Sequence, residues 1–301
     1  MIKLTGKSYL VTGGAGFIAS HICDELIKQG KSVICVDNLV NGKMSNIEQH
    51  LTNPLFTFLE MDIRDLTPRH FNGVDVVFHN AASKFTVCRI DPKKDLMVNG
   101  WGSLNVFESA YFAGVKRVVH ASSGSTLQGH PKSYYGLSKL AGETYLDLMR
   151  IYYPDFGFVG LRYYHVYGMR QDDSQRGGVI PLFIKQIVSK KPITVFGDGE
   201  QTRHFTNVSD VVKANFMAAE NPLMEGHTYD EIPDWKMSIL ELSKRLQEVS
   251  GIRGKVMFLP EKPGEIYTYS ITSEKLRDLG FRFDVSIDRG IRQLIKWYKE
   301  R

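Results

Sequence analysis

Tyr9-Leu-Val-Thr-Gly-Gly-Ala-Gly-Phe-Ile-Ala-Ser20 is the stretch whose reading decides the fold. It begins apolar and β-prone, turns through three glycines and runs straight into an amphipathic helix. Gly13 supplies a backbone conformation closed to other residues, and Gly16 lets the main chain approach a phosphate closely. The amides that open the following helix then point at that phosphate, helped by the positive end of the helix dipole. Ala19 takes the third small position of a dinucleotide-binding fingerprint, where helix and strand pack tightly.

A second apolar run, Ser32-Val-Ile-Cys-Val-Asp37, follows the helix and ends in a carboxylate. The spacing of about 20 residues is the one at which an acidic side chain meets a ribose diol. A carboxylate there repels the extra phosphate of NADP. Like charges about 4 Å apart at an effective dielectric of ~20 repel by roughly 4 kcal/mol. Lys43 lies close enough in sequence to soften that preference. The pattern points to NAD.

The chain has 301 residues, enough for one large α/β domain and a smaller lobe. Hydrophobic content of 43% and charged content of 24% are those of a soluble globular protein. The formal charge of +5 comes from scattered basic residues, so nucleic-acid or membrane binding gets little support. Cys23, Cys35 and Cys88 show no paired spacing, and they read as reduced thiols rather than metal ligands or a disulfide framework. With no signal-peptide pattern and no 18-residue apolar run, a cytoplasmic location is expected.

Strand and helix patterns alternate through the first half. Apolar strands are predicted near Phe56–Leu59, Val74–Phe78, Val118–His120 and Phe158–Leu161, with helices over Leu96–Ala113 and Ser138–Ile151. Strands separated by helices imply right-handed crossovers and a doubly wound parallel sheet of Rossmann type. Beyond Gly168 a smaller mixed α/β lobe is predicted. It holds a helical face at Val179–Val188, strands at Pro192–Phe196 and Val256–Leu259, and helices at Ser238–Ser250, Ser273–Leu279 and Ile287–Tyr298. The division expected is 1–168 for the dinucleotide domain, with about 204–225 returning to it, and 169–301 for the second lobe.

Tyr135-Gly-Leu-Ser-Lys139 places a phenol and an ammonium four residues apart on one helix face. A free tyrosine has a pKa near ~10, so service as a base at neutral pH asks for a downward shift of about 3. A nearby cation in a partly dry cleft supplies that much, and an oxidised nicotinamide adds a second charge.

With these motifs in order, the chain resembles an extended short-chain dehydrogenase/reductase of the NAD-dependent nucleotide-sugar epimerase/dehydratase family. The resemblance runs through Asp62-Ile-Arg-Asp, His79-Asn-Ala-Ala, Asn99-Gly-Trp-Gly, Ala121-Ser-Ser and Leu161-Arg-Tyr-Tyr-His-Val-Tyr-Gly168. It continues with Val179-Ile-Pro, Gly197-Asp-Gly-Glu-Gln-Thr-Arg203, Val208-Ser-Asp210 and Lys262-Pro-Gly-Glu265.

What the resemblance implies is specific. Gly13, Gly16, Phe17, Ile18, Asp37 and Asn38 would hold the dinucleotide, and Asp62 and Ile63 would flank its adenine. Ala81, Ala82, Lys84, Asn99, Tyr164 and Val166 would line the ribose and nicotinamide end. Lys139 would bridge the nicotinamide ribose and depress the Tyr135 pKa. Ser123 matches the family's Ser/Thr and would hydrogen-bond the reacting hydroxyl, with Ser122 and Ser125 as neighbours should the register slip. On the substrate side stand Ser125, His165, Val179, Arg203 and Lys262, His165 replacing a usual Asn at the substrate phosphates. The substrate implied is a nucleotide-diphosphate sugar, UDP-sugar favoured.

Departures from the family narrow the reaction. Dehydratases carry Asp-Glu directly after the Ser/Thr, and decarboxylating relatives also use a Glu there. This chain has Gly124 and Ser125. A 4-epimerase is the economical reading. The alternatives are a sugar 4-dehydrogenase or ketoreductase, favoured by the short 124–134 segment, and a non-catalytic NAD-binding regulator. Relatives often pair through the helices after strands four and five, so a two-fold homodimer is expected, with Phe107, Tyr111, Phe112 and Leu148 facing a partner or the sheet.

Overall fold

The computed structural model describes residues 1–174, 177–261, 267–268 and 271–300. The glycine-rich turn joins β1 (Ser8–Thr12) to α1 (Phe17–Lys28). β2 (Ser32–Asp37), β3 (Phe56–Glu60), β4 (Val76–His79), β5 (Arg117–Ser123) and β6 (Phe158–Tyr163) follow. β1 pairs in parallel with β2 and β4, β2 with β3, β4 with β5, and β5 with β6. The strand order 3-2-1-4-5-6 reverses between β1 and β4, and ligands of such sheets bind beyond the strand ends at that switch.

A seventh strand, His227–Glu231, lies outside β6. Its sequence, His-Thr-Tyr-Asp-Glu, gives no apolar signal, and sequence reading missed it. Gly160 makes room for it, since a Cβ there would lie 2.4 Å from Thr228 Oγ1. The Gly226 amide donates to the Phe158 carbonyl at 2.7 Å and starts the pairing.

The helix expected over Leu96–Ala113 is present, but it is not α-helical throughout. α2 (Phe85–Cys88) and α3 (Pro92–Leu96) lead into a wide π-helical turn, Met97–Gly102, before α4 (Ser103–Phe112). Gly102 lets this turn close on its neighbour: a Cβ there would lie 2.8 Å from Ile63 Cδ1. The π turn carries Asn99 into the interior. α5 (Tyr134–Tyr152) starts four residues earlier than the apolar pattern suggested, because Ser133 caps it by accepting the Gly136 amide at 3.0 Å. Tyr135 therefore sits in its first turn.

Contacts divide the chain into two units, Met1–Tyr163 with Val212–Tyr229, and Tyr164–Val211 with Asp230–Arg301. In the first, Leu10, Val36, Val77, Phe107, Val118, Leu146 and Phe158 form the core. Phe107 thus faces the sheet, while Phe112 and Leu148 are exposed. In the second, α6 (Val179–Val188), α8 (Ile239–Ser250) and α10 (Ile287–Glu300) turn apolar stripes inward around Phe183, Ile193, Leu242 and Leu294. α7 (Val208–Glu220) passes from the second unit into the first, and α9 (Glu274–Asp278) is short. Among the described residues, no helix is long and apolar enough to cross a membrane, and no cluster of three His, Cys, Asp or Glu could hold a metal.

Glu231 ends the seventh strand fully buried, with neither carboxylate oxygen hydrogen-bonded. Burial, and then the charge of Asp210, pushes its pKa well above the carboxylate range, so the folded chain holds it as the neutral acid. The unfolded chain releases that proton near pH ~4.3. Its contribution to stability is therefore fullest below that pH and declines as pH rises toward the folded pKa. Glu231→Gln removes the loss, which amounts to roughly 1.4 kcal/mol per pH unit. The melting-temperature gain of the variant over wild type is expected to widen from pH 5 to pH 8. A constant gap would mean that Glu231 is ionised in the fold.

Candidate active site

The dinucleotide cradle is set by backbone geometry. Gly13 has φ of 67°, and a Cβ on it would lie 2.8 Å from the Ala81 backbone. A Cβ on Gly16 would lie 2.9 Å from the Gly13 carbonyl. Gly16 is the N-cap of α1 and no side chain caps that helix, so its first-turn amides, including those of Phe17 and Ile18, carry no side-chain cap. The Thr12 hydroxyl accepts the Asn80 and Ala81 amides at 3.1 Å each and meets His79 Nδ1 at 2.7 Å. This ties the exit of β4, with Ala81 and Ala82, to the glycine turn. Thr12 was not among the residues singled out from the sequence, although it directly precedes Gly13.

Asp37 is 7% exposed. Its Oδ2 accepts the Ala15 amide at 3.0 Å and its Oδ1 the Leu39 amide at 2.8 Å. Burial raises its pKa, and those two amides oppose the rise. A carboxylate has about four acceptor sites, so two remain for a diol. Asn38 is turned toward Asp62, donating at 2.8 Å, and Arg64 grips the same carboxylate through Nε and Nη2 at 2.8 and 2.9 Å. That grip holds the Asp62 pKa down to about 2. Ile63 is buried beneath Gly102. A concavity that a Cβ would fill, an uncapped helix start and a half-satisfied buried carboxylate together fit a dinucleotide.

Ser123, Tyr135 and Lys139 come from the end of β5 and the first two turns of α5. The Ser123 and Tyr135 side chains hydrogen-bond each other. The Ser125 amide donates to Ser123 Oγ at 3.1 Å, which orients that hydroxyl. Ser122 is not an alternative, since its hydroxyl donates to Glu143 in the interior. Lys139 is 2% exposed and donates to the Ala121 carbonyl at 2.8 Å. Burial lowers its pKa to about 8, against the pull of Asp95 and Glu143.

The expectation of a tyrosine shifted toward neutrality is reversed here. Burial pushes the Tyr135 pKa up to about 12, the Ser123 hydrogen bond lowers it, and Asp95 and Cys88 raise it. Tyr135 is a neutral phenol at physiological pH, because loss of solvent, with Asp95 adding to it, outweighs the Ser123 hydrogen bond.

Asn99 is fully buried with its amide engaged. Its Nδ2 donates to Asp95 Oδ1 and Ser138 Oγ at 3.1 Å each, and its Oδ1 accepts the Ser83 amide at 2.8 Å. It builds the wall of the site rather than offering a free donor to a cofactor. Lys84 directly precedes α2, whose Phe85 ring stands edge-on to Tyr135 at 5.9 Å.

In the second unit, Tyr164 is buried and its hydroxyl donates to Asp230 at 2.6 Å. The Val166 carbonyl accepts from Gln171 at 2.8 Å. His165 has φ of 38°, an unusual value for a side-chain-bearing residue, and its ring lies 6.1 Å from that of Phe205. The residue is exposed, and the surrounding protein first, and Arg203 and His204 next, bias its pKa downward. Val179 opens α6. Arg203 is buried, with Nη1 donating to the Thr202 carbonyl at 2.8 Å. Lys262 lies outside the described residues.

Residues 9–230 match the model of the NAD dependent epimerase/dehydratase family. The chain belongs to that family. It is an NAD-dependent enzyme whose relatives act on nucleotide sugars. It is 36% identical to a Methanocaldococcus jannaschii protein provisionally named UDP-glucose 4-epimerase, over 96% of this chain and 98% of that one. It is 30% identical to UDP-N-acetyl-alpha-D-glucosaminuronate decarboxylase of Bacillus cytotoxicus, over 98% of each chain. The crystal structure of UDP-glucose 4-epimerase from Thermotoga maritima with UDP-glucose superposes with a TM-score of 0.90 at 31% identity, covering 97% of this chain and 99% of that one.

Gly13→Ala tests the cradle. A left-handed alanine costs about 1–2 kcal/mol, before its Cβ meets the Ala81 backbone. NAD affinity is expected to fall by more than about tenfold by calorimetry, since 1.4 kcal/mol is a factor of ten. Unchanged affinity would remove Gly13 from the cofactor site.

Proposed function

We propose that the protein is an NAD-dependent nucleotide-sugar 4-epimerase that works by transient oxidation at sugar C4. One observation carries the reading: every carboxylate acting on Tyr135 and Lys139 is already engaged. Asp95 accepts from Ser138 and Asn99, and Glu143 from Ser122 and Arg162. Elimination of water or loss of a carboxyl group calls for an acid or base beyond the Ser–Tyr–Lys set, and Gly124 and Ser125 supply none. Hydride chemistry at a hydroxyl-bearing carbon needs only the set that is present.

Tyr135 Oη takes the proton of the C4 hydroxyl, and Ser123 Oγ orients that hydroxyl and shares its developing charge. The Lys139 ammonium favours the phenolate form of Tyr135 during transfer. NAD, which Gly13, Gly16 and Asp37 would hold, would supply the hydride acceptor and donor for C4. Arg203 serves the nucleotide diphosphate, for which a planar, permanently charged guanidinium is suited. A uridine diphosphate sugar is the substrate that the relatives' names favour.

A homodimer fits the surface of the first unit. Phe112, Ile151 and Tyr152 on α4 and α5 are 62%, 71% and 75% exposed, and Leu137 and Leu148 are also exposed. The three buried, free cysteines suit a reducing cytoplasm.

The epimerase reading is tested by incubating the protein with uridine, thymidine, guanosine and cytidine diphosphate hexoses and following C4 configuration by NMR. Appearance of a C4 epimer without net NADH is expected. Stoichiometric NADH would instead favour a net dehydrogenase, and no conversion of any sugar would reject both. Tyr135→Phe is expected to lower kcat about 10²–10⁴-fold while NAD stays bound. Light scattering is expected to give twice the 34.2 kDa chain mass, and a mass of 34.2 kDa would remove the dimer.

A further inference from the structure

Behind Tyr135 and Lys139 lies a closed polar triangle that hydride chemistry does not use directly. Asp95, in α3, is fully buried. Its Oδ2 accepts the Ser138 hydroxyl at 2.6 Å and its Oδ1 accepts Asn99 Nδ2 at 3.1 Å. The second Asn99 hydrogen reaches Ser138 Oγ, also at 3.1 Å. Ser138 precedes Lys139 directly and follows Tyr135 by three residues, so the triangle closes on the turn of α5 that carries both. Its other side is the π turn holding Asn99, pinned in turn by the Ser83 amide.

The charges around this turn are few. Facing Lys139 are Asp95 from α3, Glu143 from α5 itself, His79 from β4 and His120 from β5. Both imidazoles are buried and held far below the usual histidine range, by burial first and by Lys139 next, so they are neutral. Glu143 is paired with Arg162 through contacts of 2.9 and 2.6 Å. Among the described residues the hydrogen-bond donors to the Asp95 carboxyl, Ser138 and Asn99, are uncharged, and Asp95 acts electrostatically on Lys139. Facing Tyr135 are Asp95, the Cys88 thiol of α2 and the Ser123 hydroxyl.

We propose that Asp95 is a positioning residue for the reaction at Tyr135: it locks the first turn of α5 to the Asn99 wall and supplies the negative charge that retains the Lys139 ammonium in a dry site. It touches no reacting atom. The inference rests on the reading of Tyr135 and Lys139 as the proton-transfer pair. Burial lowers the Lys139 pKa and raises that of Tyr135, while Asp95 pulls both upward. Removing its charge therefore moves both groups in one direction, toward lower pH. A carboxylate with a purely structural role would lower activity without moving either.

Asp95→Asn, in the full-length NAD-loaded protein, is the test. Both limbs of the kcat/KM pH profile are expected to move down by about one pH unit, the size of a nearby-charge effect. Ionisation of Tyr135, followed by near-ultraviolet absorbance with Tyr135→Phe as the blank, is expected to move down with them. Asp95→Glu should restore the wild-type positions. Limbs and phenol titration that stay in place in Asp95→Asn overturn the proposal, whatever the loss in rate. Should Asp95→Asn not fold, Asp95→Ser is read in the same way, and failure of both to fold overturns the proposal in favour of a purely structural carboxylate. Absence of epimerisation by the wild type would sink the functional reading but leave the phenol titration legible, so the two failures are told apart.

Discussion

A protonated amine almost without water is the constraint around which the first unit is built. Lys139 sits inside the sheet–helix interface with the Ala121 carbonyl as its hydrogen-bond acceptor. Burying a lone charge is costly by several kcal/mol, so its surroundings must offset the loss of hydration. They do so asymmetrically. Carboxylates stand on the helix side, at Asp95 and Glu143, while the sheet side presents the neutral rings of His79 and His120 stacked at 5.3 Å. His79 is held between Thr12 and Ser103, and the edge of Phe107 closes on both rings. Gly142 leaves room for this floor, since a Cβ there would come within 2.9 Å of His120 Nε2.

The same loss of water acts in the opposite sense on the phenol. For Lys139 it disfavours the cation, and for Tyr135 it disfavours the anion, so burial alone drives the pair apart in pKa. Burial leaves Tyr135 protonated at neutral pH. It suits the proposed chemistry, in which a phenol hydrogen-bonded to Ser123 exchanges one proton with a hydroxyl.

Local signals were the legible ones. The Gly13–Gly16 turn, Asp37 at the end of β2 and the Tyr135–Lys139 spacing are each written within a few residues, and alternation of strands and helices exposed the parallel sheet. What escaped the sequence depends on partners far along the chain. The strand His227–Glu231 is recruited by a missing side chain at Gly160, and Asn99 is turned inward by a π turn that no periodicity announces. Asn99 and Tyr164 were expected at the site from the sequence, but the hydrogen bonds to Asp95 and Asp230 that engage them were not legible there. Asp95 offered one faint cue, an acidic residue four positions before Asn99. The direction of the Tyr135 shift was misread for a related reason: a motif displays the cation but not the depth of burial.

Buried carboxylates make the general point. Asp62 meets a guanidinium and an amide and is held strongly acidic; Asp37 meets two backbone amides and rises under burial despite them. Glu231 meets no donor and becomes a neutral acid. Asp95 meets two uncharged donors, Ser138 and Asn99, and acts on the buried Lys139. The carboxyl group is common to all four, so the number and charge of the donors delivered by the fold set each one apart. A carboxylate added beside Ser123 would meet yet another set, and its donors, more than its presence, would determine whether this scaffold could take on elimination chemistry.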